Sequence, residues 1–201
     1  LEAVMYSVSN IIVQVAINNF GVDTMAAWTA YSKIDFIFWM INSAFGISIM
    51  TFVGQNYGAG KWERIRKGTK ICLGMALVSA VSVSIILISA EHFLFGIFVN
   101  DAEVISIGIR MMNVITPAYL LFAFIEVFSG ALRAQGAVVV STLITMVGIC
   151  VLRMFWVTFV AAHGTLEQVI ICYPITWAVG ALAMSTYYLY KQRKIFLSLE
   201  A

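Results

Sequence analysis

Residues 54–68 read Gly-Gln-Asn-Tyr-Gly-Ala-Gly-Lys-Trp-Glu-Arg-Ile-Arg-Lys-Gly, a polar and cationic run between two long apolar segments. Lys61, Arg64, Arg66, Lys67 and Lys70 place five of the chain's 12 Lys and Arg within ten residues. Short cationic loops stay on the cytoplasmic side of a bilayer, so this stretch sets orientation. Its glycines allow a tight reversal between two spanning helices. It is not a phosphate loop. Gly-x4-Gly-Lys-Ser/Thr, counted back from Gly60-Lys61, puts Gln55 at the first glycine and Trp62 at the hydroxyl.

The rest of the chain is 62% hydrophobic and 11% charged, whereas soluble domains carry about a quarter charged residues. Two charge-free blocks, 71–90 and 168–190, are each long enough to cross a hydrocarbon core of ~30 Å. The ten-residue alternating segments of a β-barrel do not occur. The fold class is therefore all-α, a polytopic membrane protein. Nucleic acid is excluded as a partner, because the cations flank spans and do not line a face with interleaved aromatics. The bilayer is the expected partner. Cys72, Cys150 and Cys172 are odd in number and sit in apolar segments, so they read as small buried hydrophobes. The chain opens without Met inside an apolar helix, which suggests a piece of something longer.

Punctuation at 21–23, 98–101, 133–136 and 163–165, with the basic run, divides the chain into six spans: 1–20, 25–54, 69–90, 104–131, 137–161 and 167–190. The second and fourth exceed the ~20 residues needed, so they tilt, bend or protrude. Pro117 is the expected bend in the fourth. One side carries five cations in 61–70, Arg133, and Lys191, Arg193 and Lys194; the three short loops opposite carry none. Both termini are thus expected in the cytoplasm, with Tyr187, Tyr188 and Tyr190 anchoring at the inner interface.

Charges inside spans cost a few kcal/mol unless paired or hydrated, and so become functional candidates. Asp35 lies about ten residues into its helix, ~15 Å from the outer end and near the midplane. Tyr31, Trp39, Asn42 and Gly46 share its face at i−4, i+4, i+7 and i+11. An acid among a phenol, an indole and an amide could hold a cation or a proton, and the rings could receive a flat organic cation. The bland reading is neutralisation of Lys33 or of another helix's cation. Glu126 shares a face with Tyr119, Ser129 and Arg133; it suits proton exchange, or else snorkels or pairs with Arg133. Arg153, beside Trp156 at the outer end of the fifth span, is accounted for by stacking and snorkelling. Asn10 and Gln14 form a polar stripe leaning toward Asn18, either as helix glue or as cavity lining. Catalysis has little support. No Ser, Cys or carboxylate stands at dyad spacing from His92 or His163, and no cluster has metal-ligand spacing.

Several stretches, in order over nearly the whole chain, carry a family pattern. They are Asn18-Asn19-Phe20-Gly21, Lys33-Ile34-Asp35, and Thr51-Phe52-Val53-Gly54-Gln55-Asn56-Tyr57-Gly58-Ala59-Gly60-Lys61. Ser129-Gly130-Ala131-Leu132-Arg133-Ala134-Gln135-Gly136 and Leu152-Arg153-Met154-Phe155-Trp156 follow. Together they resemble the multidrug and toxic compound extrusion (MATE) family of cation-coupled efflux transporters. The resemblance implies a twelve-span plasma-membrane protein (the inner membrane in bacteria) of two six-helix lobes. This chain would be the C-terminal lobe, and its partner the N-terminal lobe of the same protein. It implies alternating access, with Na⁺ or H⁺ entry driving export of lipophilic or cationic compounds, no other cofactor and no enzymatic step. Asp35 and Glu126 become the cation- or proton-binding candidates. Tyr31, Trp39, Asn42, Tyr119, Asn10 and Gln14 would line the substrate path, and Gly54, Gln55, Asn56, Gly58, Gly60 and Lys61 would form an intracellular loop motif. In one branch the second lobe carries acids in its first and fourth spans; those positions fall near Tyr6 and at Phe122 here, so no Na⁺ site carries over. The alternatives are a lipid-linked oligosaccharide flippase of the same superfamily and a non-transporting six-helix membrane protein.

Overall fold

Lipid offers a backbone no hydrogen-bond partner, so apolar blocks must satisfy their peptide groups locally as helices. The computed structural model describes residues 2–161 and 164–200, and no strand occurs among them. His163 lies outside the described residues. Helix α1 covers Glu2–Asn18, α2 Val22–Gly58 and α3 Trp62–Ser89. A short α4, Glu91–Gly96, precedes α5, Ala102–Ile115, and α6, Tyr119–Ala134. Then come α7, Val138–Thr145, α8, Leu152–Phe155, α9, Leu166–Ile170, and α10, Cys172–Glu200. Among the described residues, five spans are long and apolar enough to cross a bilayer: α2, α3, α5–α6, residues 138–160, and residues 166–195; α1 is a shorter apolar helix.

The boundaries differ from expectation at the polar ends. With 37 residues, α2 is about 55 Å long, well beyond the hydrocarbon thickness. It absorbs Gly54, Gln55, Asn56 and Gly58, and α3 begins at Trp62, so the expected loop shrinks to Ala59–Gly60–Lys61. A helix needs no apolar environment to continue once started, which is why hydropathy misplaces its ends. The Asn56 amide donates to Phe52 O at 2.7 Å, and Lys61 N donates to Asn56 O at 2.9 Å. Gly60 sits at φ +65°, where an L side chain would be strained. The cations at 64, 66, 67 and 70 ride on the first turns of α3.

Pro117 does interrupt the fourth span: a 3₁₀ turn, Thr116–Ala118, joins α5 to α6. The fifth span runs from α7 through a π segment, Met146–Val151, into α8 and a second π segment, Trp156–Val160. The sixth breaks at Ile171, three residues before Pro174, whose ring crowds the carbonyl four residues back. Thr165 and Gln168 close a capping box at the start of α9.

Helix α6 is the axis of the bundle, packed against α2, α3 and α10. Burial on α2 follows a helical stripe, Thr24, Ala27, Tyr31, Ile34, Phe38, Asn42, Gly46, Ile49, Val53 and Asn56, the face turned to α6 and α3. Phe36, Ile37 and Met40 on the opposite face are exposed, as a lipid-facing surface permits. Where α2 crosses α6, a Cβ on Gly130 would stand 2.7 Å from Gly46 O, so glycine lets the two backbones meet. Tyr188 is buried and stacked on Phe128 at 4.6 Å. It therefore belongs to the core, unlike exposed Tyr190.

Candidate ligand cavity

Asp35 sits one position off the buried stripe of α2, half-buried, on the rim between the bundle and a cavity of about 410 Å³. Trp39, one turn on, donates Nε1–H to Asp35 Oδ2 at 2.5 Å. The Tyr119 hydroxyl, from the first turn of α6, donates to Oδ1. Tyr31 and Tyr119 share a hydroxyl–hydroxyl hydrogen bond of 3.1 Å. Phe38 lies flat on the Tyr119 ring, with centroids 3.7 Å apart and planes within 4°, which fixes where that phenol points. Asp35 thus has neutral hydrogen-bond partners among the described residues. Lys33 turns away and sits 5.3 Å above the Phe98 ring, so the pairing of Lys33 with Asp35 is not made.

The cavity opens between α1, α2, α8 and α10. Asn10 and Gln14 come from α1; Trp28, Tyr31, Asp35 and Trp39 from α2; Arg153 from α8; Tyr173 and Trp177 from α10. Of the expected path residues, Asn10, Gln14, Tyr31 and Trp39 line it. Tyr119 does not: it is fully buried behind Asp35 and reaches the cavity through its hydrogen bonds to Asp35 and Tyr31. Asn42 does not line it either.

Asn42 belongs instead to a second cavity of about 180 Å³, lined also by Tyr6, Trp39, Glu126, Ser129, Arg133 and Thr145. Tyr6 and Trp39 border both spaces. Glu126 and Asp35 are thus in separate chambers. A Cβ on Gly46 would overlap the Glu126 carboxylate, so the bare glycine makes the seat that Glu126 occupies. Ser129 and Ser141 hydroxyls meet at 2.9 Å behind it.

Arg153 requires a correction. It is 1% exposed, so it does not snorkel, and its ring partner is Tyr173, 4.2 Å from the guanidinium carbon. Trp156 instead donates Nε1–H to Gln168 O at 2.8 Å. Arg153 Nη1 donates to Asn10 Oδ1 at 3.0 Å, which ties α8 to α1 across the cavity wall. Counting residues from the helix end places Arg153 at the membrane edge; the partners on α1 and α10 that bury it are tertiary. Trp28, Tyr173 and Trp177 escaped the sequence reading as well. Trp28 is at i−7 from Asp35, and Tyr173 and Trp177 are one turn apart on either side of Pro174, so extending the aromatic stripe both ways would have found them.

Gly54, Gln55, Asn56, Gly58, Gly60 and Lys61 line neither cavity. Among the described residues no three of His, Cys, Asp and Glu gather as metal ligands.

The MatE family model matches residues 1–158. A probable multidrug resistance protein, YoeA of Bacillus subtilis, is 24% identical over 197 residues, covering 96% of this chain and 42% of that protein. Multidrug and toxin extrusion protein 1 of Homo sapiens is 23% identical over 158 residues, 76% of this chain and 28% of that protein. An outward-facing multidrug resistance MATE family transporter of the MOP superfamily superposes with a TM-score of 0.87 at 16% identity, over 96% of this chain and 44% of that one. The chain thus spans less than half the length of these relatives. A multi-pass membrane bundle, motifs in family order and a match over most of the length converge: the chain belongs to the MatE family, the multidrug and toxic compound extrusion group.

Proposed function

We propose that this chain is the C-terminal six-helix lobe of a secondary antiporter that exports lipophilic or cationic compounds in exchange for Na⁺ or H⁺. The observation that carries the reading is Asp35, a carboxylate with neutral partners on the wall of an aromatic cavity. A carboxylate within a membrane bundle that lacks a cationic neighbour is costly when empty. A proton, a metal cation or an organic ammonium relieves that cost, and the three compete for it. Competition for one acid is the simplest chemistry by which ion entry expels a drug. Glu126 offers a second exchange site in its own chamber. No bond is made or broken, so the proposal is translocation and not catalysis. The N-terminal lobe of the same protein would close the other side of the cavity, and both termini of this chain would face the cytoplasm of a plasma membrane.

The flippase reading calls for several cavity cations to hold a pyrophosphate. One guanidinium, Arg153, lines this cavity, and it is engaged by Asn10 and Tyr173, so the antiporter reading is preferred. In the full-length protein, Asp35→Asn should abolish ion-driven dye efflux, a drop on the order of a hundredfold. Normal efflux by that variant would refute the assignment. Cysteine labelling at 21–24 that is reachable only from inside would overturn the orientation.

A further inference from the structure

The first turns of α3 carry charge that neither cavity uses. Arg64, Arg66, Lys67 and Lys70 are exposed and, with Glu63, line a surface depression of about 380 Å³. Ile65 and Thr69, on the other side of the same turns, are 0% and 1% exposed, so the helical period sends the cations away from the bundle. That backing is tightly packed. A Cβ on Gly68 would overlap the Phe52 ring of α2, so glycine seats this end of α3 flush against its neighbour. Thr69 Oγ1 donates to Ile65 O at 2.8 Å, which satisfies the buried hydroxyl within the helix. Arg64, Lys67 and Lys70 have no ion-pair partner among the described residues. In the depression, Glu63 sets one negative charge against four positive ones.

We propose that this face of α3 binds the phosphodiester headgroup of an anionic phospholipid in the leaflet that it meets. Lys70 immediately precedes the charge-free block 71–90 of a membrane-crossing helix. Arg64 stands six residues earlier, about 9 Å along the axis. The polar layer on each side of the hydrocarbon is about 5–8 Å deep, so the cations cover the depth at which lipid phosphates lie. Arg64 and Arg66 can each present two parallel N–H groups to a phosphate, while Lys67 and Lys70 add point charge. A cluster of four cations at the end of a spanning helix is enough to concentrate anionic lipid. The apolar part of a lipid is matched as well. Ile71, Met75 and Val78 continue the stripe of Arg64 and Lys67 at spacings of three and four, and all three are more than half exposed. A headgroup held by the cations would lay its acyl chains along that stripe. The inference is independent of the export reading, which Asp35→Asn tests separately.

The test uses the purified full-length protein in detergent, with fluorescent phosphatidylglycerol and phosphatidylcholine of the same acyl chains as probes. The wild type should bind phosphatidylglycerol about tenfold or more tightly than phosphatidylcholine; equal affinity overturns the proposal without any variant. Arg64→Gln, Arg66→Gln, Lys67→Gln and Lys70→Gln combined should bring the two lipids to within about twofold of each other. A preference that survives those changes places the headgroup elsewhere and overturns the proposal. General damage to the fold would weaken both lipids alike and leave their ratio in place, which also counts against the site. Arg64→Lys with Arg66→Lys keeps the charge and should hold the preference within about threefold; its collapse there would mean that charge does not hold the lipid. Glycerol phosphate, the same anion without a membrane anchor, should leave the bound lipid in place at millimolar concentration. Complete displacement would mark a site for soluble anions and sink the proposal.

Discussion

Asp35 and Glu126 are both carboxylates carried into the interior of one bundle, and their settings are opposite. Asp35 stands at the rim of a cavity of about 410 Å³, with an indole and a phenol as donors. Glu126 occupies a chamber of about 180 Å³ that also contains Arg133, in a seat hollowed by Gly46. Asp35 has its donors on two helices and aromatic walls in front, with Arg153 on its cavity engaged by Asn10 and Tyr173; Glu126 shares its chamber with Arg133 and has a backbone against it. Sequence distance from the nearest cation does not foretell this. Lys33 is two residues from Asp35 and turns away, whereas Arg133 is seven from Glu126 and shares its chamber.

If the contrast is functional, the two acids should respond unequally. The largest effect is expected from Asp35→Asn, on the order of a hundredfold in ion-driven efflux by the full-length protein. Glu126→Gln should cost about tenfold or less, because the cation in its chamber already supplies part of its compensation. Reversal of that order in vesicle transport assays would break the comparison. Trp39→Phe keeps a ring but deletes the donor to Asp35, and should reduce efflux by roughly tenfold, the value of one hydrogen bond to a charge. An efflux rate equal to wild type would show that the indole only fills space. Gly46→Ala should destabilise the protein in detergent by about 1–3 kcal/mol through overpacking against Glu126. Adding Glu126→Ala should recover most of that loss, and thermal unfolding that shows no recovery would place the clash elsewhere. The smallest effect is expected at Gly136, φ +79°, where Ala should cost about 1–2 kcal/mol of stability without changing the ratio between the two acid variants.

Much of this was legible along the chain, because bilayer thickness converts apolar length directly into spans. The break at Pro117 and the grouping of Tyr31 and Trp39 with Asp35 follow from local chemistry and helical period alone. What was not legible is tertiary. Tyr119 reads as cavity wall by its spacing from Glu126, yet the Phe38 ring pins it behind Asp35. Tyr188 reads as an interfacial anchor until Phe128 on α6 covers it. The π segments of the fifth span contain no proline, so no local signal announces them; at Gly148, within one of them, the nearest neighbour is the Gly180 backbone of α10. The end of α10 folds no loop of its own, since Lys191 Nζ and Gln192 Nε2 bind Gln135 O and Oε1 at 2.8 and 2.9 Å.

Gly46 and Gly130 bring the main chains of α2 and α6 into contact, with no side chain between them. A joint of that kind behaves as a rivet: neither rod can slide without lifting atoms out of van der Waals range along the seam. Asp35 and Glu126 are mounted on those two rods. Whatever tilts this lobe sweeps both negative charges through the same arc, and the gap between them stays a fixed dimension of the part.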